Sequence, residues 1–297
     1  MSTNHRKATR RPSAEIVVAD VMREFAFSNV DFLSLAQLAY DHAGIVLQES
    51  KRNMVYGRLS RRLRALQLNT FRDYREYLAA HERELERFIN SLSTNHTKFF
   101  REVHHFDHLR SHVAAPFAKE GGQASAERLR VWSAGCSSGE EPYSMAAVLK
   151  REIQNIDRHN VRILATDIDT DVLAKAARGV YPANSVDEVP AAYRPFFELK
   201  KNGQGIAQVY VDHAVHKLVT YRQLNLLRQW PFKGLFDAIF CRNVMIYFDG
   251  PTKEALVDRF MQQIKPGGWL YIGHSESLIG SHPGLELVGS TIYRRAV

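Results

Sequence analysis

One short loop carries the residues of this sequence that are best placed to do chemistry. The stretch 130–144, RVWSAGCSSGEEPYS, predicts a strand, a tight loop of small residues and the first turn of a helix. A helix N-terminus favours anions, so such a loop often holds a nucleotide phosphate. Here Glu140 and Glu141 stand where that phosphate would lie and would repel it. The pair either compensates the helix dipole or favours a nucleoside ligand that is positively charged.

A third carboxylate follows at the end of the next strand. Asp167 closes the apolar run 161–167, VRILATD. An acid at this place commonly accepts both ribose hydroxyls of a nucleoside, although a simple turn residue explains it equally well when it is taken alone. Taken with the loop, it favours S-adenosylmethionine, which has a ribose, a sulfonium and an ammonium but no phosphate.

The elements that must position these residues alternate along the second half of the chain. Apolar runs predict strands over 128–135, 161–167, 235–243 and 269–275, and helical patterns lie between them at 140–153, 169–178 and 253–265. This alternation is typical of an α/β fold with a mostly parallel sheet that is covered on both faces. Ligands of such sheets bind beyond the carboxyl ends of the strands. The last segment, 285–296, predicts a closing antiparallel pair.

The first part of the chain has a different, helical periodicity. Apolar residues recur at helical spacing in 31–45 and 54–68, and two further helices are predicted at 71–80 and 82–92. We therefore expect a basic flexible tail at 1–19, an all-α domain at 20–93, a linker and entry helix at 94–127, and the sheet domain at 128–297. A small antiparallel insertion is predicted at about 198–222, from the alternating runs Ala207–Val211 and Lys217–Tyr221.

Composition narrows the class of protein. The 297 residues carry a formal net charge of +8, which indicates an acidic partner: a nucleic acid, an anionic membrane or an acidic protein. No apolar run is long enough to span a bilayer, and the first residues lack the apolar stretch of a secretory signal. The two cysteines fit neither a metal pattern nor a redox pair. We expect a cytoplasmic protein without a metal.

Several motifs together resemble the CheR family, the chemotaxis receptor glutamate O-methyltransferases. The resemblance covers about residues 30 to 295 and implies an N-terminal helical domain, an S-adenosylmethionine-dependent methyltransferase domain and a small inserted β-subdomain. The motifs are STNHTKFFRE (93–102), SAGCSSGEEPYS (133–144), ATDID (165–169), FDAIFCRNVMIYFD (236–249) and GHSES (273–277).

The resemblance also implies roles for single residues. Arg101 and Tyr247 fall on positions that border the point of methyl transfer. The residues that it places around the cofactor are Asn95, Thr97, Arg101, Glu141, Asp167, Asn225, Leu226, Asn243 and Val244. The implied reaction gives glutamate methyl esters and S-adenosylhomocysteine, as in sensory adaptation.

The implied partner is the acidic helical hairpin of a receptor's cytoplasmic domain, for which a basic helix is the expected complement. Arg58, Arg61 and Arg62 are the predicted contacts. They belong to a run of cations without an acid among them, and most of its members are expected to project away from the apolar stripe and stay free to bind. A plain solvated face is the alternative. A receptor tail peptide could also pair with the edge of the insertion. The run comprises Lys51, Arg52, Arg58, Arg61, Arg62 and Arg64.

Two functions of other classes remain as alternatives. A nucleic-acid methyltransferase would suit the basic balance, but base methylation usually uses a turn with two prolines after the fourth strand, where this chain has Asn243-Val-Met-Ile-Tyr247. The basic helix also lacks interleaved aromatic residues that stack on bases. The other alternative is a non-catalytic module that binds S-adenosylmethionine. We expect neither a nucleic-acid partner nor insertion into a membrane.

Overall fold

The computed structural model describes residues 23–120, 128–276, 278 and 282–297. The chain divides into two compact units. One takes the described residues up to Leu38 together with Leu47–Leu92, and the other takes Ala39–Val46 and Ser93–Val297. The predicted basic tail at 1–19 lies outside the described residues. Among the helices that are described, none is both long enough and apolar enough to cross a membrane.

The first unit is helical, as its periodicity predicts. Its helices are α1 (Asn29–Ala43, which continues into the second unit), α2 (Arg52–Leu66), α3 (Phe71–Ala80) and α4 (Glu82–Leu92). The apolar stripe of α2 is buried at Val55, Leu59 and Leu63, because residues three or four apart share one face of a helix. The side chain of Thr70 caps α3 by accepting the N–H of Asp73.

The second unit is built on a seven-stranded sheet. Its strand order is β6-β2-β1-β7-β8-β10-β9, and the pairs β6–β2, β2–β1, β1–β7 and β7–β8 are all parallel. β10 pairs antiparallel with both β8 and β9, which confirms the closing pair predicted at 285–296. The bounds are β1 (Arg128–Ala134), β2 (Asn160–Asp167), β6 (Val219–Gln223), β7 (Phe236–Cys241), β8 (Ile264–Ile272), β9 (Leu285–Gly289) and β10 (Ile292–Arg295).

Helices cover both faces of this sheet, as expected for parallel strands that are buried on both sides. One core packs against α5 (Val103–Leu109), a π-helical turn (Arg110–Ala114) and α7 (Glu140–Glu152), and the other packs against α10 (Gly250–Gln263). The remaining helices of the unit are α6 (Ala115–Glu120), α8 (Thr170–Arg178) and α9 (His213–His216). The mostly parallel α/β architecture is therefore confirmed.

A separate antiparallel sheet of three strands lies in the segment between α8 and β6. Its order is β3-β5-β4, with β3 (Val180–Pro182), β4 (Phe197–Lys201) and β5 (Ala207–Val211). The small sheet is thus present, but its predicted composition was partly wrong. The run Lys217–Tyr221 does not join it, since Val219–Gln223 pairs in parallel with β2 of the large sheet. Val180–Pro182 takes the third place instead.

Candidate active site

The loop after β1 has a shape that depends on two glycines. Gly135 and Gly139 have φ of +91° and +99°, in the left-handed region where side chains are strained. A Cβ atom on Gly135 would lie 2.2 Å from Cγ2 of Val244. The backbone N–H groups of Gly135 and Cys136 both donate to the carbonyl of Thr166. The loop therefore stays close to the end of β2 and to the turn after β7.

Asp167 stands at the carboxyl end of β2, against this loop. One of its oxygens accepts the backbone N–H of Ser137 at 2.8 Å, and the other accepts that of Asp169 at 3.0 Å. Desolvation raises the pKa of Asp167 to about 6, although those backbone N–H groups act in the opposite direction. Each carboxylate oxygen can accept a second hydrogen bond. The group is therefore positioned to accept two hydroxyls of a ligand.

The linker 93–102 reaches the same region. Nδ2 of Asn95 donates to Asp169 at 2.7 Å, and the Oγ of Ser137 donates to the carbonyl of Asn95 at 3.3 Å. Thr97 is half-buried on the same segment. Two sequence-predicted cofactor residues are therefore on a segment that is tied to the loop and to the end of β2.

Glu141 is buried at the start of α7, where both of its oxygens have protein partners. It accepts the Oγ–H of Ser133 at 2.7 Å and Nη1–H of Arg242 at 3.0 Å. Burial raises its pKa in spite of the positive charge of Arg242. Arg242 also donates to the carbonyl of Arg101 and lies 3.4 Å from Glu102. Arg242 therefore links α7, the linker and the end of β7. Both carboxylate oxygens of Glu141 are occupied by protein donors.

The neighbouring Glu140 is oriented by the loop. Its Oε2 accepts the Oγ–H of Ser138 at 2.7 Å, and burial raises its pKa. The two glutamates hold different places, since only Glu141 has a guanidinium partner. A phosphate at this helix start would meet Glu140, which forms no ion pair among the described residues. The loop therefore disfavours a phosphate, as the sequence predicts.

The turn after β7 carries three further predicted residues: Asn243, Val244 and Tyr247. Asn243 has a φ of +60°, and its backbone N–H donates to Glu276 at 2.8 Å. The same carboxylate accepts the N–H of Gly273 at 2.7 Å and that of Ile246 at 3.2 Å. A buried carboxylate with three backbone donors fixes this turn beside the loop.

Arg101 and Tyr247 both face the linker. Nη1 of Arg101 donates to the carbonyl of His96 at 3.0 Å, and among the described residues no carboxylate forms an ion pair with it. The hydroxyl of Tyr247 donates to the carbonyl of Thr94 at 3.3 Å. Both bonds go to neutral carbonyls within one short segment, and further donors of Arg101 remain available to an anion.

Asn225 and Leu226 follow β6 at the same edge of the sheet. The Nδ2 of Asn225 donates to the carbonyl of His42 at 2.5 Å, and its Oδ1 accepts the N–H of Leu227. The side chain of Leu226 is buried in the core beneath α10. The side chain of Asn225 therefore fixes the turn after β6, and Leu226 anchors that turn in the core.

Comparison with known proteins identifies the family to which this chain belongs. A family model described as "CheR methyltransferase, SAM binding domain" matches residues 95–294, and one described as "CheR methyltransferase, all-alpha domain" matches residues 30–93. The chain belongs to the CheR methyltransferase family. The match spans both units of the structure.

Curated relatives of CheR type are similar over nearly their whole length. A "Probable chemotaxis protein methyltransferase" of Rhizobium etli is 44% identical over 86% of this chain and 96% of its own. "Chemotaxis protein methyltransferase 2" of Pseudomonas aeruginosa is 42% identical over 92% and 96%. "Chemotaxis protein methyltransferase" of Escherichia coli is 40% identical over 93% and 94%.

The cofactor of this CheR domain is S-adenosylmethionine, and the residues present fit it. Gly135 and Gly139 adopt positive φ angles, which let the loop turn tightly. The loop has no cation that could bind a phosphate, and the oxygens of Asp167 can accept ribose hydroxyls. Glu140 and Asp169 place two further carboxyl groups near the same edge, where they can face a ligand with a sulfonium and an ammonium.

The basic run on α2 was expected to stay free, and for several of its members that expectation was wrong. Arg62 makes two hydrogen bonds, of 2.8 and 2.7 Å, to the buried Glu84. Arg58 donates to the carbonyls of Ser91 and Leu92, and Arg64 is paired with Glu24. Arg61 is exposed and makes no ion pair within the described part of the chain. The acceptors that pair with these arginines lie outside the basic run, so the run alone could not predict them.

The sequence interpretation gave no individual role to Glu276, Arg242 or Glu102, although all three lie in the quoted motifs. Glu276 lies in the motif GHSES and Arg242 directly after an apolar strand, so a charged residue beside the end of a parallel strand was the available signal. Glu102, His104 and His105 have donor atoms within 4.8 Å of one another, as in many metal sites. Since Glu102 already faces Arg242, we assign no metal here.

Proposed function

We propose that this chain transfers a methyl group from S-adenosylmethionine to glutamate side chains of chemotaxis receptors, giving methyl esters and S-adenosylhomocysteine. The proposal rests mainly on the surroundings of Arg101. Its guanidinium has no carboxylate partner among the described residues, and it lies on the linker that contacts the cofactor loop. A forked donor that has no carboxylate partner of its own suits a carboxylate nucleophile.

The proposed reaction needs no general base. A glutamate side chain has a pKa of ~4.3 and is already ionised at neutral pH. The bound cofactor supplies an electrophilic methyl group on a positively charged sulfur. A glutamate oxygen forms the new bond to carbon while the sulfur keeps the electron pair of the bond that breaks, so no proton moves.

The residues of this chain then act by positioning. Arg101 holds the glutamate carboxylate, and the hydroxyl of Tyr247 turns from Thr94 to donate one hydrogen bond to it. Asp167, Asn95 and Thr97 hold the nucleoside. The turn of Asn243 and Val244 borders the nucleoside on another side, and Asn225 and Leu226 border its adenine. In-line positioning of this kind can remove roughly 7–11 kcal/mol from a barrier.

The proposed partner is the acidic helical region of a receptor in the cytoplasm. The relatives at 40–44% identity bear the name chemotaxis protein methyltransferase, which supports a chemotaxis substrate. Arg61 offers a free charge on α2, whereas Arg58 and Arg62 would first have to give up their partners. β4 offers a second contact: it is an edge strand whose residues Glu198–Lys201 are exposed, so a tail peptide could pair with it.

The test is methyl transfer from labelled S-adenosylmethionine to a purified receptor cytoplasmic fragment. We expect label that mild alkali releases, because a carboxyl methyl ester is alkali-labile, whereas a methylated amine or nucleobase is not. The matched control is the same receptor fragment with its candidate glutamates changed to alanine. Alkali-stable label, or transfer to nucleic acid in the same assay, would contradict the proposal. Tight cofactor binding without transfer to any of a panel of receptors would favour a binding module.

A further inference from the structure

A cleft of about 530 Å³ opens at the amino-terminal ends of β1 and β2. This is the opposite end of the strands from the Gly135–Gly139 loop, and β1 alone, with seven residues, spans roughly 20 Å. The volume lies within the range of small-molecule sites. The cleft is therefore separate from the candidate active site.

The strand register gathers positive charge on one face of this cleft. Arg130 and Arg162 are directly paired across β1 and β2, so their side chains leave the same face from backbones about 4.8 Å apart. Arg128 lies two residues before Arg130 and shares that face. We call the site the basic cleft; its lining cations are Arg128, Arg130, Arg162, Lys233 and Lys265.

The charges of the basic cleft are mostly left without a counter-charge. None of the described residues that line it is acidic. Within the described part of the chain, Lys265 alone among its cations has a carboxylate partner, since its Nζ donates to Oδ1 of the nearby Asp237 at 2.5 Å. Arg130 donates to backbone and side-chain oxygens of Asn160, which are neutral. Burial and the charges of Arg128 and Arg162 lower the pKa of Arg130. Since like charges on paired strands repel, an anion bound here would stabilise the arrangement.

One wall of the basic cleft is apolar. It is formed by Leu164, by the half-buried Phe232 and by Leu235, whose side chain is 41% exposed. Arginine forks match phosphate oxygens, and a flat apolar wall accepts an aromatic ring. We propose that the basic cleft binds a nucleoside polyphosphate, with the phosphates held by Arg128, Arg162 and Lys233 and the base packed against Phe232 and Leu235. An acidic peptide would match the charge but would leave the apolar wall without a ring.

The experiment is calorimetric titration of the full chain with ATP, inorganic tripolyphosphate and adenosine. S-adenosylhomocysteine is present at saturation throughout, so that the cofactor site is filled. We expect ATP to bind, tripolyphosphate to bind more weakly and adenosine not to bind. The double variant Arg128→Gln/Arg162→Gln should weaken ATP binding by about tenfold or more, and added salt should weaken it further.

The matched control is Arg83→Gln/Arg87→Gln, which removes two exposed arginines of α4 and should leave ATP binding unchanged. An absence of ATP binding under these conditions, or equal affinity in the two double variants, would overturn the proposal. Equal affinity for tripolyphosphate and ATP would overturn the base contact. Tighter binding of a hexaglutamate peptide would identify the cleft as a protein-docking site instead. Methyl transfer is a separate readout, so failure here leaves the proposed function untouched.

Discussion

The carboxylate of Glu276 accepts the backbone N–H of Asn243 at 2.8 Å, across 33 residues of sequence. It also accepts the N–H of Gly273 and that of Ile246, and it is 6% exposed. Asn243 has a positive φ, which costs free energy unless neighbouring contacts hold it. Glu276 is therefore a positioning residue for the turn that carries Asn243, Val244 and Tyr247.

The variant Glu276→Gln tests this role. An amide must turn a donor toward one of the three N–H groups, and hydrogen bonds to a charged group contribute about 1.5–3 kcal/mol each. We expect kcat/KM for methyl transfer to fall by about tenfold or more, with weaker binding of S-adenosylhomocysteine in calorimetry. Glu254→Gln, at an exposed position of α10, is the matched control. Wild-type binding and turnover in the Glu276 variant would contradict the role.

Asp167 predicts a pH dependence of cofactor binding. Its pKa is raised to about 6, so below that pH the carboxyl is protonated and loses an acceptor for a ribose hydroxyl. We expect the Kd of S-adenosylhomocysteine to rise as pH falls below 6, by up to about tenfold per unit. For folding the sign is opposite: because the folded pKa is above the unfolded one, the protonated group stabilises the fold at low pH and that contribution is lost as pH rises through 6.

The control for this pH dependence is Asp167→Asn, measured by calorimetry between pH 5 and 8. The variant should bind weakly at every pH and should lack the inflection near pH 6. An unchanged inflection would assign the titration to another carboxyl, such as Glu140, whose pKa is also raised.

Arg101 and Tyr247 should differ in how much the reaction depends on them. Arg101→Ala removes a charged fork that grips the carboxylate, whereas Tyr247→Phe removes a single neutral hydrogen bond. We expect Arg101→Ala to lose turnover by a large factor and Tyr247→Phe to lose less, in the receptor methylation assay. Arg101→Lys, which keeps the charge but not the fork, should fall between wild type and alanine. Normal turnover of Arg101→Ala would exclude the proposed role.

Arg61 and Arg62 are neighbours that should respond differently to the same substitution. Arg62→Gln leaves the buried carboxylate of Glu84 without its charged partner, and we expect it to lower the free energy of unfolding by about 2 kcal/mol. Arg61→Gln should leave thermal unfolding unchanged but reduce methylation at low salt, since an exposed charge acts by steering. An equal fall in unfolding temperature for both variants would contradict this division.

Two glycines give a matched pair of alanine variants. At Gly135 a Cβ would lie 2.2 Å from Val244 on a backbone with φ +91°, whereas at Gly57, inside α2, it would meet nothing within 4 Å. We expect Gly135→Ala to weaken binding of S-adenosylhomocysteine strongly. Gly57→Ala should raise the free energy of unfolding by about 0.5–1 kcal/mol, because alanine favours a helix. Calorimetry and thermal unfolding measure the two effects, and wild-type binding by Gly135→Ala would show that the loop tolerates a side chain.

The sequence by itself determined the features that depend on local pattern. Periodicities of two and 3.6 residues placed the main strands and helices, and their alternation implied the parallel sheet and therefore the edge at which Asp167 and the Gly135–Gly139 loop meet. The shape of the loop could be predicted because Gly135 and Gly139 act through their own backbone, and Glu140 because its partner Ser138 lies two residues away.

The tertiary structure alone decided the pairings between distant residues. The short run Val219–Gln223 has the same alternation whether it lies in a small antiparallel sheet or at the edge of the large one, and only contact with β2 selects between them. Arg62 meets Glu84 across 22 residues, and Arg242 meets Glu141 across 101. A charged residue in a sequence indicates that a partner is needed, but the fold decides which group becomes that partner. Hydrogen bonds and close ion pairs require their atoms to lie within about 3–4 Å of each other.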